Sequence, residues 1–191
     1  MPAAAREPIS SDVVSPWGKG VRFRMLVWEW CWAAFCAWTP KPLNRWRLAW
    51  LRLFGATIEG VPFVHQRARI QMPWKVLLRD RCCLGDRANV YSLGEVEIGA
   101  HAVIAQEAYL CTGTHEFGEP GLPLVTAKIS VGRRAFVGAR VFVLPGVTIG
   151  ADAIIGAGSV VTRDVPPATV NAGNPCRTLH PRTDLAGGET A

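Results

Sequence analysis

Aliphatic side chains recur every six positions through the second half of the chain. The series is Val131, Val137, Val143, Ile149, Ile155 and Val161, and a small or β-branched residue follows each member four positions later. This period matches neither an α-helix nor a regularly alternating strand. It favours short strands joined by corners, in coils that stack so that each strand pairs with its equivalent in the next coil. The pattern therefore predicts an all-β, parallel β-helix.

The same pattern continues toward the N-terminus with one irregularity. Its inward positions are Ile98, Ile104 and Leu110, and the small or β-branched residues that follow them four positions later are Ala102, Ala108 and Thr114. A unit at residues 84–89 leads to Val90 and Val96, where the frame slips by two residues. Weaker units begin at Ile58, Val64, Ile70 and Val76. A β-sandwich explains six consecutive in-frame aliphatic residues less well than a β-helix does.

A loop interrupts the repeat between Leu110 and Val131, which lie 21 residues apart, three more than a multiple of six. Residues 115–128 contain two prolines and two glycines, which favour a loop that leaves the stack at a corner. This loop begins at His115. Loops on rigid scaffolds often line functional sites, so His115 is a candidate for chemistry.

The N-terminal part of the chain follows a helical pattern. Residues 1–56 together hold seven of the eight tryptophans. Residues 1–20 are expected to be mobile, and residues 21–56 form a basic segment. Its apolar run, Met25–Thr39, is too short for the roughly 20 residues that span a bilayer. Residues 43–54 place Leu43, Trp46, Trp50 and Phe54 on one helical stripe, and Gly55 is a natural stop. The segment suits either a membrane-surface anchor or a cap over the open end of the β-helix.

The charge distribution sets the N-terminal segment apart from the rest of the chain, and the cysteine content indicates the redox compartment. Together they exclude few functions. Residues 1–56 hold eight Lys or Arg against three acids, so most of the net charge of +6 belongs to this segment. Its aromatic residues lie on apolar helices, which argues against nucleic acid binding. The six cysteines include no CxxC pair and are expected to be reduced, as in a cytoplasmic protein, with peripheral contact at the inner membrane face as an option.

Four stretches resemble the hexapeptide-repeat acyltransferases, and within them the colanic acid biosynthesis acetyltransferase type. They are residues 42–56 (PLNRWR and LFGA), residues 110–115 (LCTGTH), the coils at 143–150 and 155–162, and the closing motif AGNPCR at 172–177. The resemblance covers roughly residues 40–180. It implies a left-handed β-helix over residues 57–178, with a tail at 179–191. It also implies a homotrimer that transfers acetyl from acetyl-CoA to a sugar hydroxyl, without a metal, in exopolysaccharide or capsule biosynthesis.

The resemblance implies that His115 is the general base, since it ends the family's active-site strand and histidine titrates near neutral pH. Glu97 is a candidate to orient it. Cys111 lies close enough to be considered as a nucleophile, but packing is the favoured role because the family forms no covalent intermediate. His65 and His101 are expected to face solvent.

The family's donor site carries over position by position. Phe136 stands where tryptophan is usual, Ala139 replaces a serine, and Ala157 keeps the small residue beside which the pantetheine arm lies. The adenine and phosphate contacts are expected at Thr162, Arg163, Arg177 and His180, although His180 replaces an arginine. Asn89 is the candidate contact to the acceptor.

Two other readings of the fold remain. The γ-type carbonic anhydrases share it but bind zinc through closely spaced histidines, whereas His101 and His115 are 14 residues apart. A non-enzymatic scaffold would not need His115 beside a loop. Among transferases, another small hydroxyl or amine acceptor stays open.

Overall fold

The computed structural model describes residues 17–119 and 121–183. Two helices open this part of the chain: α1 (Lys19–Phe35) and, after a 3₁₀ turn at Lys41–Leu43, α2 (Asn44–Leu53). Helix α2 ends before Gly55, whose φ of +93° fits the left-handed conformation common after helices. Most of the N-terminal segment expected to be mobile, residues 1–16, lies outside the described residues.

Three sheets form the faces of the β-helix within the described ranges, and consecutive strands pass from one sheet to the next. Sheet A contains β1 (Thr57–Ile58), β4 (Val76–Leu78), β7 (Val96–Ile98), β12 (Ile129–Val131) and β15 (Thr148–Ile149). Sheet B contains β2 (Phe63–Val64), β5 (Cys83–Leu84), β8 (Val103–Ile104), β13 (Phe136–Val137), β16 (Ile154–Ile155), β18 (Thr169–Ala172) and β19 (Arg177–Pro181). Sheet C contains β3 (Arg69–Ile70), β6 (Asn89–Tyr91), β9 (Tyr109–Cys111), β14 (Phe142–Val143) and β17 (Val160–Val161). A hairpin of β10 (Gly113–His115) and β11 (Leu124–Thr126) projects from the stack.

Equivalent strands of successive coils pair in parallel, which confirms the predicted β-helix. We name its corners AB, BC and CA after the sheets they join. The repeating aliphatic residues fill the interior, and from Val131 to Val161 none exposes more than 2% of its surface. At the C-terminal end β19 turns back antiparallel to β18, so that an ordered strand crosses the expected boundary at residue 178.

The coils turn at a left-handed residue in the fourth position of the hexad. Arg134, Arg140 and Asp152 hold φ values of +55°, +56° and +61° there, and Gly146 and Gly158 occupy the same position in other turns. Where Arg134, Arg140 and Asp152 hold this position, the turn therefore carries backbone strain that a glycine would avoid. The position directly after the inward residue can also be crowded. A Cβ on Gly132, which follows Val131, would lie 2.4 Å from the Ala151 nitrogen of the next coil.

Charged side chains at the left-handed position line up along the corners. At corner BC, Glu107 accepts a hydrogen bond from Arg140 Nε of the next coil at 2.6 Å and lies 3.9 Å from Arg87 Nη1 of the previous coil. At corner AB, Arg134 Nε donates to Asp152 Oδ1 at 2.6 Å and holds the pKa of that carboxyl below its usual range. We call these columns the charge ladders.

The frame slip has its origin at corner CA, where the first three coils carry extra residues. Strands β4, β7 and β12 each have two inward residues, as Val96 and Ile98 are in β7, and a wider turn precedes each strand. Thr114 does not take the place in the stack that was predicted for it, four positions after the inward Leu110. The chain leaves the stack after Thr112, so Thr114 lies half-exposed in the hairpin.

The helices cap the first coil, where sheet edges would otherwise expose unpaired backbone groups. On β2, Asn44 Oδ1 accepts from Val64 N at 3.0 Å and Arg47 Nε donates to Val64 O at 2.8 Å. On β3, Trp28 Nε1 donates to Ile70 O at 2.7 Å. The edges of two sheets are therefore satisfied by side chains, which prevent another strand from adding there.

The predicted α2 stripe is only partly correct. Trp50 stacks on Phe35 of α1 at 4.9 Å between ring centroids, but Trp46 stays 47% exposed. The face that enters the core is instead Leu48 and Leu51, together with Arg47, which is completely buried. All six cysteines are free. His65 is buried rather than solvent-facing, because it lies in the stack 3.2 Å from Asp86.

Candidate active site

His115 lies at the end of β10, on the hairpin that leaves corner CA. Its side chain is exposed, and its Nδ1 is 2.6 Å from the carbonyl oxygen of Leu122 across the hairpin. Because a carbonyl oxygen can only accept, this contact places the ring proton on Nδ1 and leaves the Nε2 lone pair free. The imidazole is thus held in the tautomer that can accept a proton from a bound hydroxyl.

Two buried hydroxyl groups fix the point where the hairpin leaves the stack. Thr112 Oγ1 donates to Tyr91 O at 2.6 Å and accepts from Gly94 N at 2.8 Å. One coil earlier, Ser92 Oγ exchanges two hydrogen bonds with the backbone of Met72, at 2.9 and 3.0 Å. Both residues are fully buried. Sequence analysis did not identify this pair of buried hydroxyl groups, although a Ser and a Thr at the same irregular corner were a usable signal.

Glu97 does not orient His115, contrary to the sequence-based suggestion. Its carboxylate on sheet A accepts from Lys128 Nζ at 3.0 Å and from Arg79 Nη2 at 2.9 Å. The hydrogen bond from Lys128, and then that from Arg79, have the largest effects, and both lower the pKa of the Glu97 carboxyl. A backbone carbonyl therefore takes the place of the expected carboxylate beside the histidine.

Cys111 packs at the end of β9 and donates from Sγ to Gly113 O at 3.2 Å. It is buried beside an aromatic row on the outer face of sheet C. In this row Tyr109 lies 6.0 Å from Tyr91 and 4.9 Å from Phe142, between ring centroids. Burial is the main cause and the neighbouring Cys111 the second cause that raise the pKa of the Tyr109 hydroxyl to about 12. Tyr109 thus stays a neutral phenol at neutral pH.

Small residues come together at corner BC. Gly158 N donates to Ala139 O at 2.9 Å, which places Ala139 directly beneath the turn that holds Ala157. A shallow cavity of about 470 Å³ opens there, with Gln106 and Glu107 at its lower edge. Phe136 lies on the adjoining outer face of sheet B and is 42% exposed. The absence of long side chains at Ala139 and Ala157 leaves backbone groups accessible to a ligand.

The remaining predicted donor residues lie on two different parts of the stack. Thr162 and Arg163 are exposed at corner CA, two coils beyond the hairpin. Arg177 and His180 are exposed on β19, next to a segment that continues corner BC by one layer through the bond from Val160 N to Gly173 O. Arg177 Nη1 donates to Cys176 O at 2.9 Å, and His180 Nδ1 is 2.8 Å from Pro181 O.

Asn89 lies at the start of β6, on the corner BC side of sheet C, whereas the hairpin leaves from the corner CA side of the adjacent strand β9. It lines a groove of about 770 Å³ between α1 and the first two coils. One chain therefore brings Ala139 and Ala157 together but leaves His115 at another corner and Asn89 in a separate groove.

The described residues show neither a metal cluster nor a membrane span. Residues 17–119 and 121–183 contain no group of three His, Cys, Asp or Glu side chains placed to hold a metal ion. In the same part of the chain, no helix combines the length and apolar character required to cross a bilayer.

Comparison with known proteins points to one family. The family model "Bacterial transferase hexapeptide (six repeats)" matches residues 128–163. A relative in Escherichia coli (strain K12), by name a colanic acid biosynthesis acetyltransferase, is 39% identical over 165 residues, which cover 86% of this chain and 91% of the relative. The galactoside O-acetyltransferase of the same organism is 41% identical over 93 residues, 47% of this chain and 45% of that protein.

Solved structures share the fold. A maltose O-acetyltransferase from Clostridium difficile superposes with a TM-score of 0.77 at 24% identity and covers 86% of this chain and 89% of its own. A hexapeptide-repeat acetyltransferase from Vibrio cholerae, solved with acetyl coenzyme A, gives a TM-score of 0.77 at 21% identity, over 87% and 91% of the two chains.

Proposed function

Because the chain belongs to the hexapeptide-repeat acetyltransferases, whose acyl donor is acetyl-CoA, we propose that it acetylates a sugar hydroxyl with His115 as general base. The observation that carries this proposal is the 2.6 Å contact from His115 Nδ1 to Leu122 O, which leaves Nε2 free. The 39% identity to the colanic acid relative favours an acceptor from exopolysaccharide biosynthesis. The direct test is release of coenzyme A from acetyl-CoA with a panel of sugars, for the parent protein and for His115→Ala.

The reaction is a single displacement. The acceptor oxygen attacks the thioester carbonyl carbon while Nε2 of His115 takes the hydroxyl proton. The tetrahedral oxyanion collapses, the carbon–sulfur bond breaks, and the protonated imidazole returns its proton to the leaving thiolate. The products are the acetyl ester and coenzyme A, with no covalent enzyme intermediate. These reaction steps require one general base in a fixed tautomer, and His115 on the hairpin is proposed to be that base.

Acetyl-CoA is proposed to lie along corner BC. Ala139 and Ala157 leave room for the pantetheine arm against the coil backbone, and Phe136 borders the same path. Arg177, with His180 on the same strand, is proposed to bind the 3′-phosphate of coenzyme A one layer further along the stack. Thr162 and Arg163, from corner CA of a neighbouring copy, are proposed to lie near its adenine and phosphates.

The division of the site between corners supports a homotrimer. His115 leaves at corner CA, whereas the small-residue cavity opens at corner BC of the same prism. A second copy placed face to face brings corner CA of one chain beside corner BC of the next, and three-fold closure uses each CA corner and each BC corner once. Each site then takes its base and its donor groove from different chains.

Adding a charged side chain to the donor groove should weaken donor binding. In Ala157→Glu the carboxylate fills the path of the pantetheine arm and repels the phosphates, so we expect the dissociation constant for acetyl-CoA, measured by calorimetry, to rise at least about tenfold, or ~1.4 kcal/mol.

Ala151→Glu is the matched control, because Ala151 holds the same hexad position at corner AB, away from the groove. It should bind acetyl-CoA normally. Equal affinity in both variants would show that the donor lies elsewhere.

The outer face of the helical pair is proposed to contact a membrane surface. Phe23, Leu26 and Trp30 form a stripe along α1 with 67%, 51% and 70% of their surfaces exposed. Lys19 and Arg22 flank this stripe, and Glu29 is the one acid between residues 17 and 54. An exposed apolar stripe with basic flanks suits the interface of an anionic bilayer. A trimer would present three such faces.

Removing the stripe should weaken membrane binding. The double variant Phe23→Ser/Trp30→Ser is expected to reduce sedimentation with phosphatidylglycerol-containing vesicles at least about fivefold, since each large apolar side chain buried contributes roughly 1.5–3 kcal/mol. Phe117→Ser, which alters a 78% exposed aromatic residue on the loop, is the control and should sediment like the parent protein. If the parent protein also remains in the supernatant, the helices act only as a cap.

A further inference from the structure

The groove between α1 and the first two coils has a volume of about 770 Å³. One wall is helical, formed by Trp28, Trp32 and their neighbours on α1. The other wall comes from residues 66–71 and from Arg87 and Asn89 of the next coil.

Positive charge is in excess in this groove. Arg67, Arg69 and Arg87 line it, against the single carboxylate of Glu29. Arg67 is paired with Asp86 at 2.5 Å, and Arg87 lies at 3.9 Å from Glu107. The guanidinium group of Arg69 has no ion pair or hydrogen bond within residues 17–119 and 121–183, so its donors remain available to a ligand.

The same groove has the mixed lining that sugars require. Gln66 lines the groove with its side-chain amide, whose Oε1 is buried without a hydrogen-bond partner among the described residues. Gln71 Nε2 donates to Glu29 Oε1 at 3.3 Å and closes one end of the groove. Trp32 offers a half-buried ring, and Asn89 adds an amide. Planar polar groups beside an aromatic face suit a ring that carries hydroxyls.

We propose that this groove binds a negatively charged sugar unit of the acceptor, with its anionic group at Arg69. The inference rests on the proposed acetyl transfer and narrows its substrate class to anionic glycosides. The anionic group is either a sugar carboxylate or the phosphate of a glycosyl phosphate. A guanidinium meets both with paired hydrogen bonds.

Arg69→Gln tests the proposal, with two anionic acceptors and one neutral acceptor of the same sugar length. One anionic acceptor is a uronic acid-containing oligosaccharide and the other a glycosyl diphosphate. We expect the KM of the parent protein to be at least tenfold lower for one anionic acceptor than for the neutral one. Arg69→Gln should raise that KM about tenfold while kcat stays within twofold, and Arg69→Lys should recover part of the loss. The acceptor that responds identifies the source of the charge.

Arg133→Gln is the matched control, since Arg133 is also exposed but lies at corner AB. It should leave every KM unchanged. Equal use of neutral and anionic acceptors by the parent protein, or an equal effect of Arg69→Gln on both, would overturn the anionic assignment. Neither outcome would touch acetyl transfer itself, because the neutral acceptor and acetyl-CoA binding report on that reaction separately.

Discussion

Replacing His115 by alanine should reduce kcat for acetyl transfer about 10³-fold, the scale expected when a positioned general base is lost. The dissociation constant for acetyl-CoA should stay within twofold, because the donor is proposed to bind at corner BC. Steady-state release of coenzyme A and calorimetry on the same preparation separate the two effects. His101→Gln is the control, since His101 is also exposed but lies on corner AB of the stack. Near-normal turnover in His115→Ala would refute the assignment.

The same variant reports on assembly. His115→Ala and Ala157→Glu damage opposite halves of a site that two chains are proposed to share. When the two inactive variants are co-expressed, a mixed trimer contains interfaces where an intact His115 faces an intact Ala157 groove. Activity should therefore return to a fraction of the parent value. Persistent inactivity in mixed trimers of confirmed composition would place the whole site within one chain.

Replacing Arg47 by alanine should lower the free energy of unfolding by about 3–5 kcal/mol, since it removes a buried charged group and leaves its partners unpaired. Arg47 donates to the carbonyl oxygens of Val64, Pro40 and Lys41 at 2.8, 2.9 and 3.1 Å, and to Thr39 Oγ1 at 2.9 Å. Its guanidinium thus joins the turn between the helices to the edge of β2. Urea denaturation followed by circular dichroism measures the loss.

Arg45→Ala is the matched control for this prediction, because Arg45 lies two residues away on the same helix and is exposed. It should change the stability by less than about 0.5 kcal/mol. Arg47→Lys should be intermediate, since an ammonium group cannot reach all four acceptors at once. If Arg47→Ala unfolds at the same urea concentration as Arg45→Ala, the helices do not stabilise the first coil through this side chain.

The aliphatic rhythm predicted the stack because the interior admits one type of residue at each inward position. From Val131 to Val161 every predicted inward residue is buried, and Ile98, Ile104 and Leu110 are as well. The corners were less predictable. Arg134 and Asp152 hold a backbone conformation that favours glycine, so sequence preference gave no sign of the turn position. Thr114 was misplaced because spacing alone does not show at which residue a chain leaves a stack.

The site was predictable only where a motif carried it. His115 could be singled out from its motif and its loop, but not its partner, since the Leu122 carbonyl is a backbone group brought close by hairpin pairing. Glu97 was chosen by its distance along the sequence, whereas the hairpin carries His115 away from sheet A. Arg47 could not be expected in the core, because an arginine is normally exposed unless several acceptors converge on it.

The charge ladders bear on how a chain of near-identical repeats finds its correct partner coil. Most hexads offer the same aliphatic residue to the interior, so a coil displaced by one level would still bury its apolar surface. At corner BC the column reads Arg87, Glu107, Arg140, and skipping one level would set Arg140 against Arg87. Mispaired stacks thus bring like charges together at strained turns. The charged residues on the surface therefore specify which coils pair, whereas the uniform apolar interior does not.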